Sequence, residues 1–226
     1  MTAKISLIIP VYNSAKTIEK CLASIFAQTF GDFEVIAVND GSSDESADIL
    51  SRWQDKIKIF SQVNNGAPSA RNFGFKKSQG DYVIFCDSDV VMRPDMLQKM
   101  YEALAKNPEA AYAYSSFRFG WKKFKSLPYN LSKLQEMPYI HTTSLLRRKF
   151  FPGFDESLKR FQDWDLWLTI GEKGGQGVWL NEVLFYAKSG GTMSHWLPKL
   201  LYRLSWLKFV KSYNEAKEII KKKHNL

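Results

Sequence analysis

Two aspartates separated by one residue, in Asp87-Ser88-Asp89, follow the apolar run Tyr82–Cys86. Because side chains alternate along an extended chain, Asp87 and Asp89 project to the same side. Their carboxylates could converge on a divalent cation, for which hard oxygen ligands are preferred, or on a ribose. A cation held there would neutralise a diphosphate and support its departure. For an isolated motif of this kind, two solvated aspartates in a turn are the better interpretation. Its position at the end of an apolar strand favours a binding site instead.

A second carboxylate with possible chemistry is Asp163, which begins a stretch with the apolar spacing of a helix, from Trp164 to about Ile170. An ordinary carboxylate at this position would serve as a helix cap and interact favourably with the positive, N-terminal end of the helix dipole. The flanking Phe161 and Trp164 would instead restrict solvent and help to raise the pKa of Asp163. A raised pKa is what a general base acting on a hydroxyl requires.

Three further residues suit a nucleotide, and each has a simpler alternative. The Asp40 carboxylate could accept hydrogen bonds from a uracil N–H, or it could cap a helix. Arg71 is a cation for phosphate groups, or a surface residue of a helix. Tyr12 offers a flat face for a base, or it packs at the end of a strand.

These residues need elements that bring them together, and the first half of the chain supplies a β-α-β-α alternation. Short β-rich runs are separated by stretches of helical spacing; the runs are Lys4–Ile9, Phe33–Val38, Ile57–Phe60 and Tyr82–Cys86. This alternation predicts a mostly parallel sheet covered on both faces, with ligands beyond the carboxyl ends of the strands. A polar motif follows each run: Pro10-Val11-Tyr12-Asn13, Asn39-Asp40-Gly41-Ser42, Asn64-Asn65-Gly66 and Asp87-Ser88-Asp89.

The second half is patterned more loosely. We expect strands over Ala111–Phe117 and near Thr142–Leu146, with the aromatic and basic stretch Arg118–Lys125 between them. That stretch could form a lip that stacks on sugars or touches a membrane, or a loop packed on its own aromatics. The last thirty residues are predicted to form a basic amphipathic helix, entered at Pro198.

Composition limits the class of protein. With 226 residues, of which 45% are hydrophobic, the chain suits one compact domain with an appendage. Cys21 and Cys86 are expected to be buried thiols rather than a disulfide or zinc site. No signal peptide or membrane span is recognised, which predicts a cytoplasmic protein. The net charge of +9 is concentrated at residues 197–226, which argues against a whole-domain nucleic-acid binder and for a basic surface facing acidic lipid.

The motifs together resemble family 2 glycosyltransferases of the GT-A fold, from Lys4 to about Ser194. The most specific pieces are Ser6–Asn13, Val38–Asp44, Asn65–Asn72, Asp87-Ser88-Asp89, and Gly153–Glu156 followed by Gln162-Asp163. The resemblance implies an inverting transferase that uses a nucleotide-diphosphate sugar, with a uridine or thymidine nucleoside, and Mn²⁺ or Mg²⁺.

The same resemblance implies roles for single residues. The positions that bind the nucleoside of the donor are Pro10, Tyr12, Asp40 and Arg71. Asp87 and Ser88 would border the ribose and the diphosphate, and Asp89 would be the protein ligand of the metal. Asp163 falls on the catalytic base, which would deprotonate the acceptor hydroxyl as it attacks the anomeric carbon.

Three positions depart from the family pattern. Asn39 stands where the family often has Asp, and Gln162 where it commonly has Glu. Ser189 occupies the position of a metal-binding His, so His195, six residues later, is a candidate substitute ligand. The alternative for His195 is an ordinary surface or packing residue.

The resulting prediction is an α/β protein with a Rossmann-like three-layer GT-A domain over residues 1–196 and a helical tail over 197–226. Residues 1–110 would bind the nucleotide sugar and residues 111–196 the acceptor, a glycan or a lipid-linked glycan. The tail is predicted to lie on anionic membrane, with packing against the body or a second subunit as its alternative. One competing function is a catalytically silent protein that binds a nucleotide sugar. The other is a nucleic-acid-binding module, but that function would leave the acids at the strand ends unexplained.

Overall fold

The computed structural model describes residues 3–188 and 208–226. One sheet contains the strands of this part of the chain: β1 Ile5–Val11, β2 Phe33–Asp40, β3 Lys58–Gln62, β4 Tyr82–Phe85, β5 Val90–Met92, β6 Tyr112–Phe119, β7 Lys122–Phe124, β8 Leu145–Arg147 and β9 Gly177–Ala187. The helices are α1 Ile18–Phe26, α2 Ser46–Ser51, α3 Ala67–Lys77, α4 Met96–Lys106, α5 Leu131–Glu136, α6 Gln162–Glu172 and α7 Lys208–Lys223.

The strand order is β3-β2-β1-β4-β8-β6-β9-β5, and β7 pairs with β6 at the side. The first four strands, β1 to β4, are parallel to one another, as the β-α-β-α alternation predicts. β8 is antiparallel to both β4 and β6, while β9 is parallel to β6 and antiparallel to β5. The predicted boundary near residue 110 falls between α4 and β6, and the sheet continues across it.

Helices cover both faces of the sheet, which confirms the predicted three-layer α/β architecture. On one face α1 and α4 bury apolar side chains such as Leu22 and Leu97 against the strands. On the other face α6 contributes Trp164 and Trp167, both almost completely buried. A sheet buried on both sides explains why β1 is buried at every position from Ile5 to Val11.

α3 lies unusually close to the sheet because of Gly74. A Cβ atom at this position would be 2.5 Å from Cγ2 of Ile8 and 3.2 Å from Cγ2 of Val38. Real Cβ atoms essentially never make a contact as short as 2.5 Å, so a residue without a Cβ suits this close approach. The close packing holds the first turns of α3, which carry Arg71, against the carboxyl ends of the parallel strands.

The two cysteines meet in the core. Cys21 of α1 and Cys86, directly after β4, are both buried and free, and their sulphur atoms are 3.8 Å apart. The hydrogen bond with Cys21, together with burial, raises the pKa of the Cys86 thiol. The prediction of two buried thiols is confirmed, although a separation of 65 residues in sequence gave no sign of their contact.

Two predicted boundaries shift in the second half. α6 begins at Gln162 and ends at Glu172, so it includes Asp163 in its first turn. β8 begins at Leu145 instead of near Thr142, because the Thr143 amide donates to the ring of His141 and the Ser144 amide to the Thr142 carbonyl. Those bonds make a turn where a strand is expected.

The described part of the tail packs on the body. Val210 and Ile220 of α7 are completely buried. His224 places its ring between two carboxylates of α6, with Nε2 2.9 Å from Asp165 and Nδ1 2.7 Å from Glu172. These contacts agree with the alternative in which the tail packs against the body. The contact of the tail with a membrane stays a prediction. The apolar residues expected on one helix face lie outside the described residues: Leu197, Leu200, Leu201, Leu204 and Leu207.

No helix within the described ranges is long and apolar enough to cross a lipid bilayer.

Candidate active site

The loops that follow the parallel strands are joined by hydrogen bonds into one surface. The Asn13 amide donates to Oγ of Ser42, and the Ser43 amide donates to the Asn13 side chain. Ser14 and Ser88 share a hydrogen bond of 2.7 Å between their hydroxyls. The motifs after β1, β2 and β4 are therefore neighbours at one edge of the sheet, as the sequence predicts.

Asp40 builds the wall of this surface. Its carboxylate accepts hydrogen bonds from the backbone amides of Asn65 and Gly66 and from the side-chain amide of Gln62. These bonds connect the end of β2 to the turn that enters α3, so they position the helix that carries Arg71. These three bonds leave one carboxylate lone pair unused, but Asp40 is only 2% exposed. The predicted contact with the base stays a prediction.

Pro10 and Tyr12 lie at the end of β1. The Cys86 amide donates to the Ile8 carbonyl, so the backbone of Ile8 and, by alternation, of Pro10 faces the side of β4. β4 has already ended at Phe85, so the missing N–H of Pro10 breaks no ladder hydrogen bond. Tyr12 is 48% exposed, which leaves its ring free to stack on a base.

Arg71 connects Asp87-Ser88-Asp89, here named the donor motif, to the start of α6, where Gln162 precedes Asp163. Nη2 is 2.6 Å from Oδ1 of Asp87, and Nη1 donates to Oε1 of Gln162 at 2.9 Å. The side chain is buried, and its Nε atom has no partner among the described residues. Burial raises the pKa of Asp87, but the charge of Arg71, with help from His141, lowers it below its ordinary value. Asp87 is therefore ionised, and the guanidinium bridges α3 to the start of α6.

His141 lies between the acids and was not singled out from the sequence. Its Nε2 is 4.0 Å from Oδ2 of Asp87, and its Nδ1 accepts the amide hydrogen of Thr143 at 3.0 Å. Burial lowers the pKa of His141, against the charges of Asp87 and Asp163, which favour its protonated form. Because Nδ1 is an acceptor, the tautomer inferred from these bonds carries its proton on Nε2, directed toward Asp87.

Asp163 faces the same group of residues from the first turn of α6. Burial raises the pKa of Asp163, while His141, the hydrogen bond from the Trp164 amide and then Arg71 limit the rise. Trp164 is completely buried and packs edge-on against Phe161, so the aromatic flanks do restrict solvent. The direction of the pKa shift is the one expected of a general base, and the catalytic role stays a prediction.

Asp89 suits a metal by its chemistry. Burial and the charge of Asp87 raise the pKa of Asp89 to about 6, and a divalent cation would relieve that repulsion. Across residues 3–188 and 208–226, three or more His, Cys, Asp or Glu side chains nowhere gather into a metal site. The residues present fit a cation held by one or two carboxylates, with phosphate oxygens and water completing its shell. The candidate ligand His195 and the family position Ser189 lie outside the described residues.

Two residues besides His141 acquire roles that only the structure reveals. Gln162 joins Arg71 to the carbonyl of Leu158, to which its Nε2 donates. The Asn72 side chain exchanges two hydrogen bonds with the backbone of Phe154, which fixes the segment before α6 against α3. Both residues lie in motifs named in the sequence analysis and next to Arg71 or Asp163, and these are the signals that could have found their roles.

Comparison with known proteins gives a consistent result. The model of the family described as Glycosyl transferase family 2 matches residues 6–162. An uncharacterized glycosyltransferase of Rickettsia conorii is 33% identical over 186 residues, which cover 74% of this chain and 31% of that protein. A glycosyltransferase of Streptococcus pneumoniae is 38% identical over 106 residues, covering 46% of this chain and 15% of that protein. The chain thus spans about a third or less of these two relatives.

Solved structures share the fold at low sequence identity. S. aureus TarS in complex with UDP-GlcNAc has a TM-score of 0.71 and 20% identity, covering 89% of this chain and 64% of that one. The mannosyltransferase PcManGT of Pyrobaculum calidifontis, in complex with GDP-Man and Mn²⁺, has a TM-score of 0.67 and 18% identity. It covers 85% of this chain and 59% of that one.

Proposed function

The chain belongs to glycosyl transferase family 2, and from that premise we propose that it transfers a sugar from a nucleotide-diphosphate sugar to a hydroxyl of an acceptor, with inversion at the anomeric carbon. The observation that carries the proposal is the bridge made by Arg71. One guanidinium contacts Asp87 of the donor motif and Gln162, the residue next to Asp163. A donor-side acid and a candidate base thereby lie on one connected surface.

Asp163 is the proposed general base. Its raised pKa makes it a better proton acceptor than an ordinary aspartate. It takes the proton of the acceptor hydroxyl while the hydroxyl oxygen forms a bond to the anomeric carbon. The bond from that carbon to the diphosphate breaks on the opposite face, and its electrons leave with the diphosphate.

The diphosphate side is served by the strand-end motifs. Asp87 and Ser88 are proposed to border the ribose and the diphosphate, and Pro10, Tyr12, Asp40 and Arg71 to hold the nucleoside. Asp89 would hold Mn²⁺ or Mg²⁺, which when bound supplies Lewis-acid stabilisation of the leaving diphosphate. A UDP or dTDP sugar is the proposed donor; the UDP-GlcNAc complex of TarS, a protein of the same fold, supports the uridine form.

The acceptor is proposed to be a glycan or a lipid-linked glycan of a polysaccharide pathway, used at the cytoplasmic face of a membrane. The excess of basic residues over 197–226 supports contact with anionic lipid. Against a nucleic-acid-binding function, the carboxylates at the centre of the site would repel a phosphate backbone.

A donor screen tests the proposal. Purified protein is incubated with UDP and dTDP sugars, with and without Mn²⁺, and release of nucleotide diphosphate is measured. We expect metal-dependent turnover with at least one donor. Asp163→Asn should keep donor affinity and lose about 10²–10⁴-fold in turnover, because it removes the base alone. Asp89→Ala should weaken donor binding in the presence of metal.

Two results would contradict the proposal. If no sugar nucleotide binds or turns over, the donor assignment is wrong. If donors bind tightly to the native protein but are never consumed with any acceptor fraction, the catalytically silent alternative holds. Glu156→Gln serves as the matched control, because this exposed carboxylate bonds to Asn72 and has no proposed chemical role.

A further inference from the structure

The hairpin of β6 and β7 carries a concentration of positive charge. Residues 117–125, here named the basic hairpin, contain Arg118, Lys122, Lys123 and Lys125 and no carboxylate. The strand register sorts these side chains by face. Phe117 is opposite Phe124 and packs inward, whereas Arg118 is opposite Lys123 on the other, exposed face.

The pairing of Arg118 with Lys123 is unfavourable for the isolated protein. Like charges directly opposite one another destabilise an antiparallel pair. Within the described residues, neither side chain forms an ion pair, and Lys125 beside them forms none either. In α7, Lys223 pairs with both Asp155 and Asp165, and Lys221 pairs with Glu218. Arg118, Lys123 and Lys125 are therefore cations that no carboxylate within the described ranges neutralises, and their proximity favours an external anionic partner.

The tip of the hairpin identifies the kind of anion. Trp121 follows Gly120 at the turn and is 85% exposed, the most exposed of the large apolar side chains described. Trp is enriched at the level of lipid head groups, where its ring is buried and its N–H still meets polar partners. A tryptophan beside four cations thus fits a surface that is both anionic and partly apolar, as a bilayer of acidic lipids is.

The inner face of the hairpin connects this surface to the active site. The Phe117 ring stacks on Phe185 of β9 at 5.2 Å and lies 5.0 Å from the ring of His141. His141 in turn faces Asp87. β9 also reaches the donor motif, because the Lys188 amide after it donates to the Asp89 carbonyl at 3.3 Å. A hairpin fixed to a membrane would hold the candidate site next to that membrane.

We propose that the basic hairpin docks on an anionic lipid surface through Arg118, Lys123, Lys125 and Trp121. Docking itself is independent of the transfer reaction. Its consequence for the acceptor rests on the proposed function: a site held against lipid is suited to an acceptor hydroxyl carried on a lipid anchor.

Vesicle co-sedimentation tests the proposal on the full chain. The protein is mixed with vesicles of phosphatidylcholine alone or of phosphatidylcholine with phosphatidylglycerol. We expect binding to the mixed vesicles only, weakening as salt rises. Arg118→Gln with Lys123→Gln should reduce the partition coefficient about 25-fold, from about fivefold for each cation. Trp121→Ser should reduce binding without changing its salt dependence.

Two double variants with the same change of charge complete the design. Lys20→Gln with Arg52→Gln removes exposed cations from α1 and the end of α2, and should leave vesicle binding unchanged. Lys211→Gln with Lys222→Gln removes exposed cations from α7 and tests the tail. If the α7 variant loses binding while the hairpin variant keeps it, the tail is the membrane contact and our proposal is wrong.

Other outcomes are equally decisive. A native protein that ignores anionic vesicles, or binds a single-stranded oligonucleotide in their place, overturns the proposal. Donor affinity is measured by calorimetry on the same variants. It distinguishes a failure of the docking proposal from a failure of the proposed transferase function. The hairpin variant should bind the sugar nucleotide as the native protein does, because its altered side chains lie on the outer face. Vesicle binding without any donor binding would refute the proposed function alone.

Discussion

Arg71 offers the most direct test of how the site is built, through its replacement by Met and by Lys. Met keeps much of the volume of the side chain but removes the ion pair with Asp87 and the bond to Gln162. Arg71 is only 7% exposed in its side chain, whereas Asp87 is 32% exposed, so water reaches one partner of the pair. Breaking a fully buried pair costs about 3–5 kcal/mol, and the exposure of Asp87 reduces this to about 2–3 kcal/mol.

The Lys variant should lose less stability. Its single ammonium retains the charge but cannot span two acceptors as the guanidinium fork does, so one hydrogen bond of about 1 kcal/mol is lost. For a chain of this size, each kcal/mol lowers the melting temperature by about 2–4 °C. We expect a decrease of roughly 5–10 °C for Arg71→Met and roughly 2–4 °C for Arg71→Lys.

Thermal and urea unfolding without donor measure these effects. Asp87→Asn removes the carboxylate that Arg71→Met leaves unpaired, so the double variant should be more stable than the sum of the single losses predicts, by about 1–2 kcal/mol. Strict additivity, or an Arg71→Met protein that melts with the native one, would show that the bridge does not hold α3 to α6.

Further predictions concern pH, packing and the tail. Turnover should fall with decreasing pH through a pKa above the ordinary 3.8, because burial raises the pKa of Asp163 and the base must be ionised; a pH profile flat to about pH 4 would contradict this. Gly74→Ala should destabilise the protein by about 1–2 kcal/mol in urea unfolding, whereas Gly31→Ala, with open space around it, should be nearly neutral. The hydrogen bond from Lys223 is the main reason that the pKa of Asp155 is lowered to about 2. The contact between Lys223 and Asp155 therefore stabilises the folded state above about pH 4, and this contribution is lost as the pH falls toward 2. Lys223→Met should lower the free energy of unfolding by about 1 kcal/mol at neutral pH. In acid denaturation curves, the difference in stability between the native protein and this variant should become smaller.

The first half of the fold follows from local sequence, for a physical reason. A parallel strand buried on both faces must be apolar throughout and must end where polar residues begin. One short apolar stretch of sequence therefore indicates both the position of the strand and the end that faces the ligand. β1, β2 and β4 are found within two residues at either end for this reason. The strand-end motifs could be placed together because parallel strands end at a common edge.

The second half depends on long-range contacts that local sequence does not record. β5 and β7 have three residues each, too few for a periodic pattern, and β9 is half-exposed along much of its length. The role of His141 requires β8 to lie beside β4, which brings it near Asp87 across 54 positions of sequence. Likewise, the bond between Arg71 and Gln162 joins residues 91 positions apart.

The buried sulphur pair in the core has a practical consequence for spectroscopy. Cys21 and Cys86 are the only cysteines of the chain, both are inaccessible, and the raised pKa of Cys86 keeps that thiol protonated and slow to react. A cysteine introduced at position 121 would therefore be the single surface thiol available to a maleimide dye or a nitroxide. The native protein already provides the cysteine-silent background that such site-directed labelling normally requires mutagenesis to create.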